Sequence, residues 1–184
     1  MTQEKPRLII LDRDGVINED SDQYIKSIDE WHSIPGSLEA IGLLTQAGIP
    51  VAVATNQSGI ARQYYSFNTL HQMHQKMIDG ISAHHGEIKY IALCPHGPKD
   101  GCTCRKPQTG MLNEISGKLN IPLGKDVYFI GDSYKDVQAA RSANCTPILV
   151  RTGKGINTIK KHSELEKTVK IYDNLMQFTK TLLT

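Results

Sequence analysis

Arg7-Leu8-Ile9-Ile10-Leu11-Asp12-Arg13-Asp14-Gly15 is the stretch on which the architecture turns. Its apolar run is too short for a helix, and being continuous rather than alternating it fits a strand covered on both faces. It ends abruptly at a carboxylate. Downstream, Pro35-Gly36-Ser37 opens a helix whose apolar positions, Leu38, Ile41 and Leu44 with Thr45, recur at helical spacing until Gly48. Val51 to Ala54 reads as a second strand. Asn68 is placed as the cap of a helix carrying Leu70, Met73, Met77, Ile78 and Ile81, and Ile88 to Leu93 follows as a third strand. A helix over Thr109–Leu119, a strand over Val127–Ile130, a helix over Tyr134–Ala143 and a strand over Thr146–Val150 continue the alternation. A strand around Val169 to Tyr172 and a helix through Leu183 end it. Strands separated by helices need crossover connections, which predict a doubly wound α/β domain with a mostly parallel sheet. Ligands in such sheets collect at the carboxyl ends of the strands, and the polar clusters of this chain sit there.

A length of 184 residues fits one domain spanning residues 1–184, with one active site. At 39% hydrophobic and 22% charged, with no apolar run near the roughly 20 residues of a bilayer crossing, neither a membrane span nor a disordered chain is indicated. Met1-Thr2-Gln3-Glu4-Lys5-Pro6 lacks the pattern of a secretory leader, so the cytoplasm is expected. A formal charge of +2, with dispersed Lys and Arg, argues against a nucleic-acid surface. Any anion must be met by local positive charge. A monomer is expected.

Asp12 and Asp14 lie two residues apart just beyond the first strand, where extended backbone would direct both the same way and let them share a cation. All-oxygen ligands of this kind suit Mg²⁺. Taken alone, the pair is equally compatible with an Asp-rich turn. At the second strand end, Thr55 and Asn56 offer a hydroxyl and an amide as donors to anionic oxygens. Arg105 and Lys106 bring positive charge just before a helix N-terminus, and Gly131-Asp132-Ser133-Tyr134-Lys135-Asp136 adds two carboxylates after the fourth strand.

Together these four segments resemble the haloacid-dehalogenase superfamily, whose motifs Asp-x-Asp-Gly, Thr or Ser, Lys, and Gly-Asp-x-x-x-Asp occur in this order from Asp12 to Asp136. The resemblance implies an Mg²⁺-dependent phosphatase in which Asp12 is nucleophile and metal ligand and Asp14 is general acid, then base. It further implies that Asp14 lends its backbone carbonyl to the metal, that Thr55 and Lys106 hold phosphoryl oxygens, and that Asp132 completes the Mg²⁺ site. Asp136 stands behind them. Asp14 is then expected to keep a proton for the leaving oxygen, while Mg²⁺ and Lys106 keep Asp12 ionised. The intervals between motifs leave no room for a separate cap domain, so the loops Glu19–Ser27 and Gly59–Tyr65 and the cysteine segment must exclude water.

That segment, Cys94-Pro95-His96-Gly97-Pro98-Lys99-Asp100-Gly101-Cys102-Thr103-Cys104, holds three thiols and an imidazole but no core-forming residue. In a reducing compartment clustered cysteines point to metal before disulfide, and Cys94, His96, Cys102 and Cys104 match a closed tetrahedral Zn²⁺ site. The zinc is read as structural. Because Arg105 and Lys106 follow directly, ordering the loop would also aim them at phosphate. Cys145 reads as a small core residue, His71 and His74 as helix-surface residues, and Arg151 to Gly155 as a solvated loop bordering the site.

Among zinc-loop subfamilies, the D,D-heptose 1,7-bisphosphate phosphatases of lipopolysaccharide-precursor synthesis resemble the chain over nearly its whole length. The matching segments are Leu11–Asn18, Thr55–Arg62, Cys104–Pro107 with Gly110-Met111, and Val150–Gly153. This implies a small sugar phosphate as partner, with Arg105 recognising it, Asp20 to Gln23 lining the sugar site and Asn56, Gln57 and Ser58 contacting substrate. The cysteine loop has a length nearer that of histidinol-phosphate phosphatases, and Ser133 replaces a lysine common in heptose enzymes. Histidinol phosphate is therefore the alternative substrate. A phosphoaspartate signalling domain is the alternative class, although it would place its Asp after a middle strand and lack a zinc loop. A zinc-binding interaction module would leave Asp12, Asp14, Thr55 and Asp132 without a purpose.

Overall fold

The computed structural model describes residues 5–184; Met1 to Glu4, part of the stretch read above for a leader, lie outside the described residues. Leu8–Leu11 form β1 with all four side chains buried, as a run without a polar member requires when both faces are covered. The chain continues through α1 (Ser37–Gln46), β2 (Val51–Asn56), α2 (Phe67–Ser82), β3 (Tyr90–Cys94), α3 (Gly110–Leu119) and β4 (Val127–Gly131). It ends with α4 (Tyr134–Ser142), β5 (Thr146–Val150), α5 (Gly155–Lys161), α6 (Leu165–Thr168), β6 (Lys170–Tyr172) and α7 (Leu175–Leu183). One sheet in the order β3-β2-β1-β4-β5-β6 results, and each neighbouring pair is parallel. The chain runs outward from β1 to β3, then crosses back to β4. This places β1 beside the switch point where doubly wound sheets bind ligands.

Successive residues of β1 divide the core. Ile9 and Leu11 pack with Ile41 and Leu44 of α1, Met73 and Met77 of α2, and Phe178 of α7. Leu8 and Ile10 face the other layer, with Met111 and Ile115 of α3 and Ala139 and Ala140 of α4. Burial there is complete enough to fix strand register, since a slip of one residue would exchange the two layers. Cys145 lies in the second layer, and burial pushes its thiol up to about 11. Only a loop and α1 separate β1 from β2, and only α2, β3 and the cysteine loop separate β2 from Lys106. No cap domain is inserted among the described residues, and no described helix is long and apolar enough to cross a membrane.

Two local expectations are corrected. Helix α2 starts earlier, capped by Ser66, whose hydroxyl accepts from Thr69 N at 3.1 Å, with Asn68 inside the first turn. Ile78 is 36% exposed because the buried stripe runs through Met73, Met77 and Ile81. Helices α5 and α6 carried no readable periodicity, and Ile156, one of the two apolar side chains of α5, faces solvent. Tertiary contact seats α5 instead: a Cβ on Gly155 would lie 1.8 Å from Val150 O, and Thr158 Oγ1 donates to Asp132 O at 2.9 Å.

Candidate active site

The carboxyl ends of β1, β2 and β4, with the loop after β3, surround a cleft of about 750 Å³. Asp12 continues β1, its N–H donating to Ile130 O on β4 at 2.9 Å. Its Oδ1 accepts from Arg13 N at 2.7 Å and lies 2.8 Å from Lys106 Nζ. The Lys106 ammonium is 2% exposed, donates to Ala54 O at 3.0 Å and lies 2.8 Å from Asp136 Oδ1 as an ion pair, an oxygen with no hydrogen-bond donor of its own among the described residues. Burial opposes its charge, but Asp12 and Asp136 outweigh that and raise its pKa. Asp136 also closes a capping box at the start of α4, its Oδ2 accepting from Ser133 N at 3.0 Å and Ser133 Oγ at 2.5 Å. Ser133 lines the cleft, but its hydroxyl is thereby engaged by Asp136 at the start of the helix.

Asp132 sits between two glycines. A Cβ on Gly15 or Gly153 would fall 2.1 or 2.2 Å from Asp132 Oδ2, and both residues have positive φ, at 83° and 56°. Only glycine tolerates both demands. Lys154 N donates to the same oxygen at 2.7 Å, so the carboxylate is aimed by backbone from two loops. Ligand atoms of Asp12, Asp132 and Asp136 lie within 4.8 Å of one another. Three carboxylates against one ammonium leave a charge of −2 in a buried pocket. Burial pushes Asp132 up to about 8, with Asp136 and Asp12 adding to it. Burial likewise pushes Asp12 up to about 7, Lys106 opposing and Asp136 adding. Lys106 alone therefore does not keep Asp12 fully ionised. An all-oxygen cluster with two uncompensated charges fits one divalent cation of the Mg²⁺ type.

Asp14 differs from expectation. Its Oδ1 accepts from Arg13 Nη2 and Asn18 Nδ2, both at 2.8 Å, and its Oδ2 accepts from Gln57 Nε2 at 3.0 Å. Burial would raise its pKa, but Arg13, Asn18 and Gln57 together lower it. The carboxylate described here is the proton-accepting form rather than one holding a proton. Thr55 is fully buried behind Gln57, and its Oγ1 accepts from Gln57 Nε2 at 2.8 Å, which leaves the hydroxyl proton uncommitted. Asn56 lines the cleft, but its amide is engaged with the backbone of Lys106, accepting from N at 3.0 Å and donating to O at 3.3 Å.

Gln57, Ser58, Arg105 and Asp20 also line the cleft; Gln23 does not, and Ser21, Asp22 and Tyr24 take its place. Asp20 pairs with Lys154 Nζ at 3.2 Å across the mouth. The two loops expected to restrict access meet there, Tyr24 packing edge-on to Tyr64 with ring centroids 5.1 Å apart and Arg62 lying over the Tyr24 ring.

The four expected soft ligands are together. His96 Nδ1 and Cys94 Sγ each lie 3.2 Å from Cys104 Sγ, and Cys94 Sγ is 3.6 Å from His96 Nδ1 and 3.7 Å from Cys102 Sγ. Bonds of about 2.0 to 2.3 Å to a tetrahedral ion require edges of roughly 3.5 to 3.8 Å. The spacing excludes a disulfide, and the donor set is compatible with Zn²⁺. Burial, then Cys104, pushes the Cys94 thiol up to about 12, so ionising all three sulfurs requires a cation. Arg105 Nη1 donates to His96 O at 3.2 Å, tying the cleft wall to this loop.

Sequence reasoning missed Arg13, Tyr65, His74 and Lys154. Arg13 passed as a spacer between acids; His74, placed on the helix surface, is 7% exposed and lies 3.3 Å from Arg13 Nη1. The available signal was its position one residue after Met73 on the buried stripe, four residues after Leu70.

The HAD-hydrolase-like family model matches residues 103–177. The D-glycero-β-D-manno-heptose-1,7-bisphosphate 7-phosphatase of Pseudomonas aeruginosa is 51% identical over 176 residues, covering 96% of this chain and 97% of that protein. Its counterpart in Neisseria meningitidis is 46% identical over 178 residues, covering 96% and 95%. The crystal structure of D,D-heptose 1,7-bisphosphate phosphatase from Bordetella bronchiseptica, complexed with magnesium and phosphate, matches with a TM-score of 0.92 at 46% identity, over 96% of this chain and 98% of that one.

Proposed function

The chain belongs to the family of D-glycero-β-D-manno-heptose-1,7-bisphosphate 7-phosphatases, HAD-like enzymes that hydrolyse phosphate esters, and on that premise we propose that it removes the 7-phosphate of the heptose bisphosphate through an aspartyl-phosphate on Asp12. The observation that carries this reading is the convergence of Asp12, Lys106 and Asp132 on one cleft. Asp12, Asp132 and the Asp14 backbone carbonyl would hold Mg²⁺, which when bound screens the charge between nucleophile and phosphoryl group. A carboxylate oxygen of Asp12 forms the new bond to phosphorus as the bond to the sugar oxygen breaks, and Asp14, which must first take up a proton from solvent through its 22% exposed side chain, passes that proton to the leaving oxygen. Water then attacks phosphorus, giving a proton to Asp14 and freeing the Asp12 carboxylate. Lys106 keeps Asp12 aimed, Thr55, buried behind Gln57, would give its free hydroxyl proton to a phosphoryl oxygen where the Gln57 amide gives way, and Arg105, Asp20 and Ser58 meet the rest of the sugar phosphate. The zinc loop supports Arg105. A monomer acting in the cytoplasm on free sugar phosphates, in lipopolysaccharide-precursor synthesis, completes the proposal.

The test is phosphate release with Mg²⁺ across sugar bisphosphates and histidinol phosphate, beside Asp12→Asn. The heptose bisphosphate should be turned over fastest, and Asp12→Asn should be inactive. Equal or better turnover of histidinol phosphate would reject the substrate, and full activity in Asp12→Asn would reject the nucleophile.

A further inference from the structure

Arg13 sits between the two carboxylates of the first motif with its side chain 1% exposed. A guanidinium cannot lose its charge when buried, so its five donors need partners. Nε donates to Asp14 Oδ1 at 3.1 Å, and Nη2 reaches both oxygens of that carboxylate, at 2.8 and 3.1 Å, and Gln57 Oε1 at 3.2 Å. Nη1 faces His74 Nε2 at 3.3 Å. Arginine has no acceptor, so that nitrogen of His74 must be unprotonated and the ring proton must reside on Nδ1. Burial, and then the charge of Arg13, holds the imidazole neutral, with its pKa down to about 4.

We propose that Arg13 is the positioning residue for Asp14, itself clamped by His74 and Gln57, and that it acts on ester cleavage through that carboxylate alone. The inference rests on the phosphatase reading, because it takes Asp14 as the group that moves the proton. Asp14 lies in a tight turn whose backbone is pinned around it, Ile17 N and Asn18 N donating to Arg13 O at 2.8 and 3.2 Å and Gly15 N to Asn18 O at 2.7 Å, so it is the side chain that contacts have to orient. Arg13 supplies them from a fixed frame. His74 belongs to α2, and Gln57, just beyond β2, accepts from Tyr65 OH at 2.6 Å, so two independent elements hold the guanidinium. The Asp14 side chain is 22% exposed and is the part free to turn. Both its oxygens already have donors, so one oxygen must leave its donors to carry a proton to the sugar oxygen or take one from water. The shared Nη2 lets the carboxylate pivot without losing its charge partner. No substrate contact by Arg13 is needed.

The experiment uses the full chain with Mg²⁺ and compares kcat/KM, which covers the steps through release of the leaving group. The substrates are p-nitrophenyl phosphate, whose leaving group departs without a proton, and an alkyl sugar phosphate, whose leaving group needs one. Arg13→Lys should lower kcat/KM about 10²-fold on the alkyl ester and under about ten-fold on the aryl ester, the difference being the proton transfer it misaligns. In an Asp14→Asn background the same change should cost less than about three-fold on the alkyl ester, since the group it positions is already inert. Equal losses on the two esters, or an undiminished loss in the Asp14→Asn background, overturn the proposal. If thermal unfolding shows Arg13→Lys to be misfolded, His74→Leu, which frees Nη1, should give the same selective pattern at about ten-fold; an unselective loss there overturns it as well. Wild-type protein that releases no phosphate from either ester would instead defeat the underlying phosphatase reading.

Discussion

Replacing Lys106 with methionine keeps an apolar stem beside Phe129 but removes a charge that lies 2.8 Å from both Asp12 and Asp136. Two carboxylate oxygens in a pocket where the lysine is 2% exposed then lose their cation, and Ala54 O loses a donor. Removing one partner of a buried pair costs about 3–5 kcal/mol, because the surviving charge stays desolvated. For a domain of this size that is a fall in Tm of about 10 °C. The loss should depend on pH. Lys106 lowers the pKa of Asp12, which even so stands at about 7, so without it the value moves higher. A carboxylate whose folded pKa is raised above its unfolded value contributes stability below the unfolded pKa and loses it as pH rises through the folded one. The deficit of Lys106→Met should therefore be larger at pH 8 than at pH 6, and go on growing until pH passes the higher Asp12 value of the variant. Adding Asp136→Asn should recover about 1–3 kcal/mol relative to the sum of the single changes, a sum that already contains the roughly 1 kcal/mol its capping role is worth. Urea unfolding in Mg²⁺-free buffer at both pH values measures all three variants. A deficit below about 1 kcal/mol at pH 8, or one equal at the two pH values, refutes the reasoning.

Asp132 and Asp12 are pushed up to about 8 and 7, so metal-free protein should lose stability as pH climbs through that range, and Mg²⁺ should cancel the loss. Thermal unfolding should show a larger Mg²⁺ shift at pH 8.5 than at pH 6; equal shifts would contradict it. Elemental analysis should find one zinc per chain, and Cys104→Ser should reduce its retention and lower kcat by about 10–100-fold through the tie from Arg105 to His96 O. Zinc-free protein with full activity would remove that link. Gly153→Ala meets Asp132 Oδ2 at 2.2 Å from a positive φ, so it should cost about 1–3 kcal/mol and weaken Mg²⁺ binding in a titration, whereas unchanged affinity would show that Asp132 has room to move.

Much of the fold was legible because the strands are saturated with apolar residues: Leu8 to Leu11 and Val51 to Ala54 admit no other placement once both faces are covered. The site residues at the ends of β1, β2 and β4 could be located by following those runs to their first polar residue. Helices α5 and α6 could not be read, since α5 is seated by a glycine against Val150 O and by Thr158 on a backbone carbonyl, contacts that leave no periodic trace. Arg13 and His74 were hidden for a related reason. A charged side chain becomes a core residue only when distant partners absorb its donors, and those partners, Gln57 and His74, come from other elements. Gln23 was misplaced because the turn at Ser21, which accepts from Gln23 N, swings it outward and brings Tyr24 to the cleft.

The loops after β1 and β5 touch through bare backbone: a Cβ on Gly153 would lie 2.5 Å from Gly15 Cα, and Thr152 Oγ1 donates to Gly15 O at 2.7 Å. Beyond Asp12 N to Ile130 O and Arg151 N to Tyr172 O at their first residues, the two loops add no pairing to the sheet among the described residues. A circular permutant opened between Arg151 and Gly155 would therefore keep all six strands in register while unhooking Asp132 from Lys154 N. Such a chain would fold and have little hold on its cation, which separates assembling the scaffold from arming it.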